Sequence, residues 1–355
     1  MEHSTSSVAA NSATEDGKGL EQGPADSQPD SVTPTTGPES PPDGGLGAWL
    51  HVLAGFMLLL NSWGIVNTYG VFQSYYESGV LFTATSSQIS WIGSAQAFFI
   101  MFCGIVTGPL YDRGYVRVLL FTGACLIVGG HVALSFCSTY WQVLLAQGIC
   151  AGIGEGCLFV PTISILPAYF KARLGLVVGI ANAGASLGGV IFPLMLSKLL
   201  YHVGFAWAVR AMALISLTTL TSAICIVRMP FKPQTLRRPL DLTAFSDWPF
   251  MALVFATLLA MMGVVALQFY IAYFAEYFNI FDTEGSIALV AIYNAASFIG
   301  RILPNYLSDK IGVFNLISPA PIINGTVILC MIVVRTKAAM VAIAGPASGL
   351  SPLVF

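Results

Sequence analysis

The chain has 355 residues, of which 56% are hydrophobic and only 9% are charged. Soluble domains carry roughly 25% charged residues, so most of this chain is expected to lie in lipid rather than water. A net charge of −2 and the lack of a basic, aromatic-rich patch exclude a nucleic-acid-binding protein. The seven cysteines form no CxxC pair and the histidines show no metal-ligand spacing, so no metal or other cofactor is expected.

Residues 1–42 are rich in Ser, Thr, Pro, Gly and acidic residues, and they are predicted to form a disordered tail. From Ala48 onward the chain is a series of apolar segments of about 20 residues, the length of a membrane-spanning helix. Helices are expected because an open sheet would leave backbone groups unpaired in lipid. The ten predicted spans are 48–70, 90–110, 117–137, 142–166, 174–197, 206–228, 248–272, 287–304, 312–334 and 338–355.

The stretch 229–247 is polar, basic and rich in proline, and it follows the sixth predicted span. It is predicted to link an N-terminal six-helix half, residues 43–228, to a partial C-terminal half, residues 248–355. The tenth apolar run is still in progress at Phe355, so the C-terminal half is expected to be incomplete. The fold class is therefore an all-α, multi-pass membrane protein.

Two charged hairpins, residues 108–117 and 305–312, share a pattern of leucine, one residue, aspartate, a base and then glycine within two residues. Both lie between two apolar segments, which predicts two homologous halves, and two-halved membrane bundles are usually transporters. The matched acids favour a role in gating, in which ion pairs or helix caps form in one access state; plain anchoring by positive charge is the alternative. The candidate gating residues are Gly108, Asp112, Arg113, Gly114, Arg117, Asp309 and Lys310.

The distribution of basic residues predicts the orientation of the chain. Nine lysines and arginines fall on the side of the hairpins and at most four on the opposite side. The hairpins, the linker and the N-terminal tail are therefore expected in the cytoplasm. Arg335 and Lys337 fit this rule poorly. The plasma membrane is the expected location, with a vacuolar membrane as the alternative.

Polar residues at helical spacing mark a candidate solute site. Span five carries Asn182 and Ser186 in a stripe of glycines, which indicates a close helix-packing face or, alternatively, a solute-lining one. In span eight, Arg301 either anchors the second hairpin or binds an anionic or polar solute. The candidate solute-binding residues are Arg301, Asn67, Asn294, Ser297, Asn182 and Tyr69. On span seven, the polar and aromatic stretch 268–274 suits a cavity wall.

Glu155 is an acidic residue within the fourth predicted span. An ionised carboxylate costs several kcal/mol in lipid, about 2.5–3.5 on insertion scales, so Glu155 is expected to face the bundle interior. Three interpretations remain open: pairing with a base, binding a coupling proton, or packing as a protonated residue.

These residues resemble a known family. Residues 108–117 resemble the loop signature of the major facilitator superfamily, and residues 42–49, Pro-Asp-Gly-Gly-Leu-Gly-Ala-Trp, resemble the opening motif of its monocarboxylate transporter family. Residues 71–76 and 294–301 are most similar to the branch of that family abundant in fungi. The resemblance covers about residues 42–355.

The resemblance implies a twelve-span bundle of two six-helix halves, of which this chain holds about ten spans. It also implies alternating access, and in many members cotransport of a carboxylate with a proton through a lysine, an aspartate and an arginine. The lysine position falls at Asn67 and the aspartate position at Ser297, while Arg301 matches the arginine. Lactate-type proton coupling is therefore not expected through these positions, and the branch is linked to varied cargo, including vitamins and secondary metabolites.

Two functional hypotheses follow. The first is a secondary active transporter for a small organic solute, which is a carboxylate, vitamin or secondary metabolite, in a lipid bilayer with a cotransported proton as a further partner. The second is a membrane protein without transport, either a truncated relative or a nutrient sensor. The sequence shows no HExxH, GxSxG or clustered carboxylates, so an enzyme is not expected.

Overall fold

The structure is a computed structural model that describes residues 43–228 and 242–342. Within these ranges the regular structure is helical, which confirms the predicted all-α class. The predicted tail, residues 229–241 of the linker and residues 343–355 of span ten lie outside the described residues, so the predictions made for them remain predictions.

The helices of the N-terminal half follow the predicted spans. Span one consists of α1 (Leu46–Asn61), α2 (Trp63–Val66) and α3 (Tyr69–Glu77); span two is α4 (Ser86–Asp112); span three is α5 (Val116–Leu134). Span four consists of α6 (Tyr140–Val143), a π-helical segment (Leu144–Ala151), α7 (Gly152–Ile165) and a 3₁₀ turn (Leu166–Ala168), and spans five and six together form α8 (Leu174–Ile226).

The second half begins with a 3₁₀ turn, Leu242–Ser246, at the end of the predicted linker. Span seven is α9 (Trp248–Tyr277), span eight is α10 (Thr283–Ile311), and span nine consists of α11 (Val313–Ile317) and α12 (Pro319–Val333). Residues 337–342 are helical and begin the predicted tenth span. Span eight is longer than predicted at both ends, because its polar first turns and the second hairpin continue the helix beyond the apolar core.

Gly204 divides the longest helix into spans five and six. At about 1.5 Å per residue a straight helix of 53 residues would be far longer than a bilayer is thick. Gly204 has φ of 77°, a left-handed conformation that favours glycine, and it breaks the helical path at this point. The two separately predicted spans are therefore confirmed.

Six helices in the described part of the chain are long and apolar enough to cross a membrane. The helix from Leu174 to Ile226 counts once in that number although Gly204 divides it. Spans seven and eight are not among the six. In span seven the apolar part is the shorter stretch Trp248–Gly263. Span eight carries a polar face. With spans five and six counted separately and spans seven and eight added, the helices within residues 43–228 and 242–342 correspond to the first nine predicted spans.

Span five lies at the centre of the packing, between span one and span eight. A Cβ added at Gly64 of span one would lie 2.8 Å from the Cα of Gly188, so these two backbones are in direct contact. On the other side, a Cβ at Gly179 would meet the backbone carbonyl of Arg301 in span eight. The predicted packing face of small residues is confirmed, and through it span five packs closely against span one and span eight.

Candidate functional site

A polar seam joins spans one, five and eight. A Cβ added at Gly189 would lie 2.9 Å from Oδ1 of Asn294 and 3.1 Å from Nδ2 of Asn67, so both amides meet at this glycine. One turn away, Ser186 donates to Ser297 across the two halves, with 3.2 Å between the hydroxyl oxygens. The residues that form the polar seam are Asn67, Asn182, Ser186, Asn294, Ser297 and Arg301.

Arg301 occupies one end of the polar seam. Its Nη1 lies 3.3 Å from the backbone carbonyl of Asn182 and its Nε lies 3.4 Å from Oγ of Ser297. Both acceptors are neutral, and no carboxylate contacts the guanidinium among the residues that the structure describes. The sequence predicted Asn182 as a lining side chain, but it is the carbonyl of Asn182 that meets Arg301.

Tyr69 does not lie in the polar seam. It is 3% exposed, its hydroxyl donates to the carbonyl of Ile89, and its ring fills the space left by Gly93 on span two. The break before α3 turns this residue away from the halves' interface and towards span two. On the predicted wall of span seven, residues 268–274, the side chains of residues 268–270, 272 and 273 lie outside the described part of the structure.

Asp309 joins the two halves at the end of the seam that carries Arg301. Its Oδ1 accepts the backbone N–H of Gly175 at 2.7 Å and its Oδ2 accepts that of Leu176 at 2.8 Å. These N–H groups belong to the first turn of span five, where backbone donors have no partner inside the helix. A carboxylate of the second half thus caps a helix of the first half, as the sequence predicted for this acid, and it complements the positive end of the helix dipole.

The first hairpin has the predicted turn but a different environment. Gly114 has φ of 88° and permits the turn, whereas Gly108 lies inside α4 and not in the turn, contrary to the prediction. This correction follows from the helix continuing through Pro109 to Asp112. Arg113 and Arg117 are exposed. In the second hairpin, the ammonium of Lys310 lies 4.6 Å from the centre of the Tyr306 ring.

Asp43 fixes the loop that leads into span five. Its Oδ1 accepts the backbone N–H groups of Lys171 at 2.5 Å and of Ala172 at 2.8 Å. The hydrogen bond from Lys171, followed by that from Ala172, lowers the pKa of the Asp43 carboxyl below its ordinary value. Asp43 thus orders the residues just before those that Asp309 caps.

His51 forms a second contact at this end of the bundle. Its Nε2 lies 2.9 Å from the amide nitrogen of Arg228 and 3.0 Å from the hydroxyl oxygen of Tyr169. Its ring stacks on that of Tyr169 with 4.1 Å between centres. The start of span one, the loop before span five and the end of span six therefore meet on the same side as Asp309, in agreement with the predicted topology.

Glu155 is fully buried inside the first half. Its Oε1 accepts the side-chain N–H of Gln96 on span two at 2.8 Å, and its backbone carbonyl lies 3.4 Å from Oγ of Ser62 at the break in span one. The acid faces the bundle interior as predicted. Its partner is an amide, so the interpretation as an ion pair with a base is wrong for the described residues.

The sequence profile of the Major Facilitator Superfamily matches residues 46–354. The chain belongs to the Major Facilitator Superfamily. It is an integral, multi-pass membrane protein of a transporter family and not an enzyme, as the sequence predicted.

Curated relatives of this superfamily member are fungal. It is 52% identical over 320 residues to the MFS-type transporter dbaD of Emericella nidulans, covering 88% of this chain and 72% of the relative. It is 37% identical over 313 residues to the aspyridones efflux protein apdF of the same organism, covering 87% of this chain but 64% of apdF. The chain therefore spans about two thirds to three quarters of the length of these two relatives.

Two solved structures share the fold of this superfamily member. The human organic anion transporter MFSD10 aligns with a TM-score of 0.68 at 11% identity, covering 88% of this chain and 85% of the other. The transporter FucP, in an outward conformation, aligns with a TM-score of 0.61 at 16% identity, covering 86% and 82%. At these identities the likeness establishes the helical bundle alone.

The sequence did not predict the polar contacts of three residues in this superfamily member. Gln96 is the one amide within the apolar run 90–110, which is a usable signal for a buried partner of Glu155. Asp43 was visible in the opening motif but its target in the loop before span five was not. His51 gave no signal, because its contacts come from residues more than 100 positions away.

Proposed function

We propose that this chain is a secondary active transporter that moves a small organic solute with an acidic group between its two halves by alternating access. The observation that carries the proposal is the uncompensated guanidinium of Arg301 in the polar seam. A solute anion bound there would supply the missing negative charge. The neighbouring amides and hydroxyls provide neutral hydrogen-bonding partners for the remainder of a polar molecule.

The energetics favour an anion at this place. A guanidinium has five N–H donors in a fixed fork that matches a carboxylate. Arg301 gives Nε to a serine hydroxyl and Nη1 to a backbone carbonyl, both at the long end of hydrogen-bond distances. A cation within a membrane protein is costly in free energy unless it is paired. A carboxylate or enolate of the solute is therefore expected to bind more favourably at Arg301 than a neutral group does.

The solute class that we favour is an acidic secondary metabolite, and the direction is export. The support is the relative apdF, an aspyridones efflux protein that is 37% identical over 313 residues. The opening motif and the residues around Arg301 support membership of the monocarboxylate transporter-like branch found in fungi, which is also part of our proposal. Plasma-membrane location follows from export.

Alternating access is supported by the contact of Asp309. In the present structure this carboxylate closes one end of the seam, because it bonds the first turn of span five from the opposite half. We propose that this end faces the cytoplasm and that the bonds break when the seam opens there. The alternative role as a charged anchor does not require a contact between halves.

Coupling to a proton is proposed at Glu155. It is an acid with no exposed surface inside the first half, and the positions that carry coupling residues in the resembling family hold Asn67 and Ser297 here. A proton gradient is a common source of energy for such transporters, and an intramembrane carboxyl is the default place for the proton.

The first test replaces Arg301 with alanine. Matched probes are benzoate and its methyl ester, measured by binding to the purified full chain and by counterflow in proteoliposomes. We expect the protein to prefer the acid, and Arg301→Ala to weaken acid binding about 10- to 100-fold, the worth of a hydrogen bond to a charged group. Ester binding should change little.

The matched control is Arg210→Ala. Arg210 lies in span six, where its Nε lies 3.1 Å from Oγ of Ser135 and its guanidinium stacks near Phe136, away from the polar seam. This variant should retain acid binding. Equal binding of acid and ester by the native chain would overturn the anionic class, and acid binding without counterflow would favour the alternative of a sensor.

A further inference from the structure

Two buried side chains in the first half, Gln96 and Glu155, face each other as an amide and an acid. They are 1% and 0% exposed. The amide nitrogen of Gln96 donates to Oε1 of Glu155 at 2.8 Å. This bond joins span two to span four, inside one half and outside the polar seam.

Each side chain also leaves one oxygen without a partner. Oε2 of Glu155 and Oε1 of Gln96 are both buried, and neither makes a hydrogen bond within the described residues. If the carboxyl were ionised, both oxygens would be acceptors only, and two buried acceptors would lack donors. Each buried unsatisfied polar group costs about 1–3 kcal/mol, and more when it is charged.

A single proton between the two unpaired oxygens would give each of them a hydrogen-bond partner. We propose that Gln96 and Glu155 form an acid–amide pair that binds a single proton, held on Oε2 of Glu155 and donated to Oε1 of Gln96. The amide then donates to one carboxyl oxygen and accepts from the other. The pairing is independent of the proposed transport; only its use in energy coupling rests on that proposal.

Among the described residues, the surroundings supply no permanent charge that would replace this proton. Apart from Glu155, the charged residues of spans one to four are Glu77, Asp112 and Arg117, and each lies at a helix end. On either side of Glu155, Gly156 contacts Cys103 of span two and Gly154 contacts Ile127 of span three. The other titratable groups on these four spans are His51, Tyr69, Tyr75, Tyr76, Tyr111, Cys125, His131, Tyr140, Cys150 and Cys157.

The pair lies beside two irregular stretches of helix. Ser62, at the break between α1 and α2, donates to the backbone carbonyl of Glu155 at 3.4 Å. The π-helical segment of span four ends at Ala151, one turn before Glu155. Such irregular segments are frequent at functional sites. Ser62 lies five positions before Asn67 of the polar seam, so the pair and the seam contact the same irregular part of span one.

The test uses infrared spectroscopy of the full chain in lipid nanodiscs at neutral pH, in H₂O and D₂O. The native protein should show the carbonyl band of a protonated carboxylic acid, shifted by deuteration. Glu155→Gln should abolish this band, and it retains the fold because an amide–amide pair keeps the same hydrogen bonds. Gln96→Met should keep the band but move it to higher frequency, since the carbonyl loses its donor.

The chain contains a matched control pair. Gln73 donates to Glu77 at 3.1 Å, but this pair is exposed to solvent, so its carboxylate is hydrated and Glu77→Gln should leave the band unchanged. A neutral-pH spectrum without a band that Glu155→Gln removes would overturn the proposal. Because the band needs no solute, a native chain that shows it but fails in counterflow would refute the transport proposal and leave the pair standing.

Discussion

The two hairpins both contain a glycine with positive φ but differ in what their acids contact. Gly114, two residues after Asp112, and Gly312, three residues after Asp309, have φ values of 88° and 90°, a region that favours glycine. Asp309 caps the first turn of span five, whereas Asp112 has no hydrogen-bond partner for its carboxylate within residues 43–228 and 242–342. A repeated motif therefore fixes local geometry, while the helix opposite the motif decides whether it can join the halves.

The difference follows from what lies opposite each acid. Asp309 meets the backbone N–H groups at the start of span five, whereas Asp112 meets no such helix start within the described residues. In our proposal Asp309 therefore gates the Arg301 end of the seam, and Asp112 serves as its internal reference in paired variants.

The largest effect is expected for Asp309→Ala. The change removes two charge-assisted hydrogen bonds. In our proposal these bonds exist only when this end is closed, so the ratio of open to closed molecules should rise about 100-fold. The measurement is the distance between spin labels at Arg117 and Phe314 in a cysteine-free background. Asp112→Ala should leave the distance distribution unchanged, and an equal shift in both variants would contradict the distinction between the hairpins.

A smaller effect, about tenfold in the same ratio, is expected for Gly179→Ala. The new methyl group would meet the backbone carbonyl of Arg301, and such overpacking costs about 1–3 kcal/mol. Gly108→Ala is the control, because nothing lies within 4 Å of a Cβ at that glycine. If Gly179→Ala left the label distances unaltered, the close contact between spans five and eight would not belong to the closed state.

The smallest effect is expected for Lys310→Ala. The Lys310 ammonium lies over the Tyr306 ring of the same helix, and an exposed cation–π contact is worth about 0.5–1 kcal/mol. Thermal unfolding should show a slight loss of stability, with a change of about two- to fivefold in the open-to-closed ratio at most. Arg113→Ala, at the matching position of the first hairpin, provides the reference; a larger effect there would reverse the comparison.

The helices and their order could be predicted because apolar length alone specifies spans in lipid. Helical spacing also placed Asn294, Ser297 and Arg301 on one face, which the structure brings into the seam with Ser186. The same reasoning misplaced Tyr69, since the break at Ser62, where φ is −91° and ψ is −89°, interrupts the regular spacing before it. Periodicity holds only while the helix is continuous.

Contacts between distant residues were beyond the reach of the sequence. The bond between Gln96 and Glu155 joins two spans 59 positions apart, and the contact of Asp309 with Gly175 joins residues 134 positions apart. Which residues face each other depends on how helices pack, and that packing follows from glycines whose neighbours are also distant. The sequence allowed the chemical role of each polar group to be predicted, but not the residue that it contacts.

The backbone amides between Lys171 and Leu176 are expected to differ in how fast their hydrogens exchange with solvent. Asp43 holds the amide hydrogens of Lys171 and Ala172 from within its own half, while Asp309 holds those of Gly175 and Leu176 from the other half. Separation of the halves would release only the second pair. The amides of Gly175 and Leu176 should therefore exchange faster when the bundle opens at this end, while those of Lys171 and Ala172 serve as an internal reference. The ratio of their deuterium uptake reports how often that opening occurs.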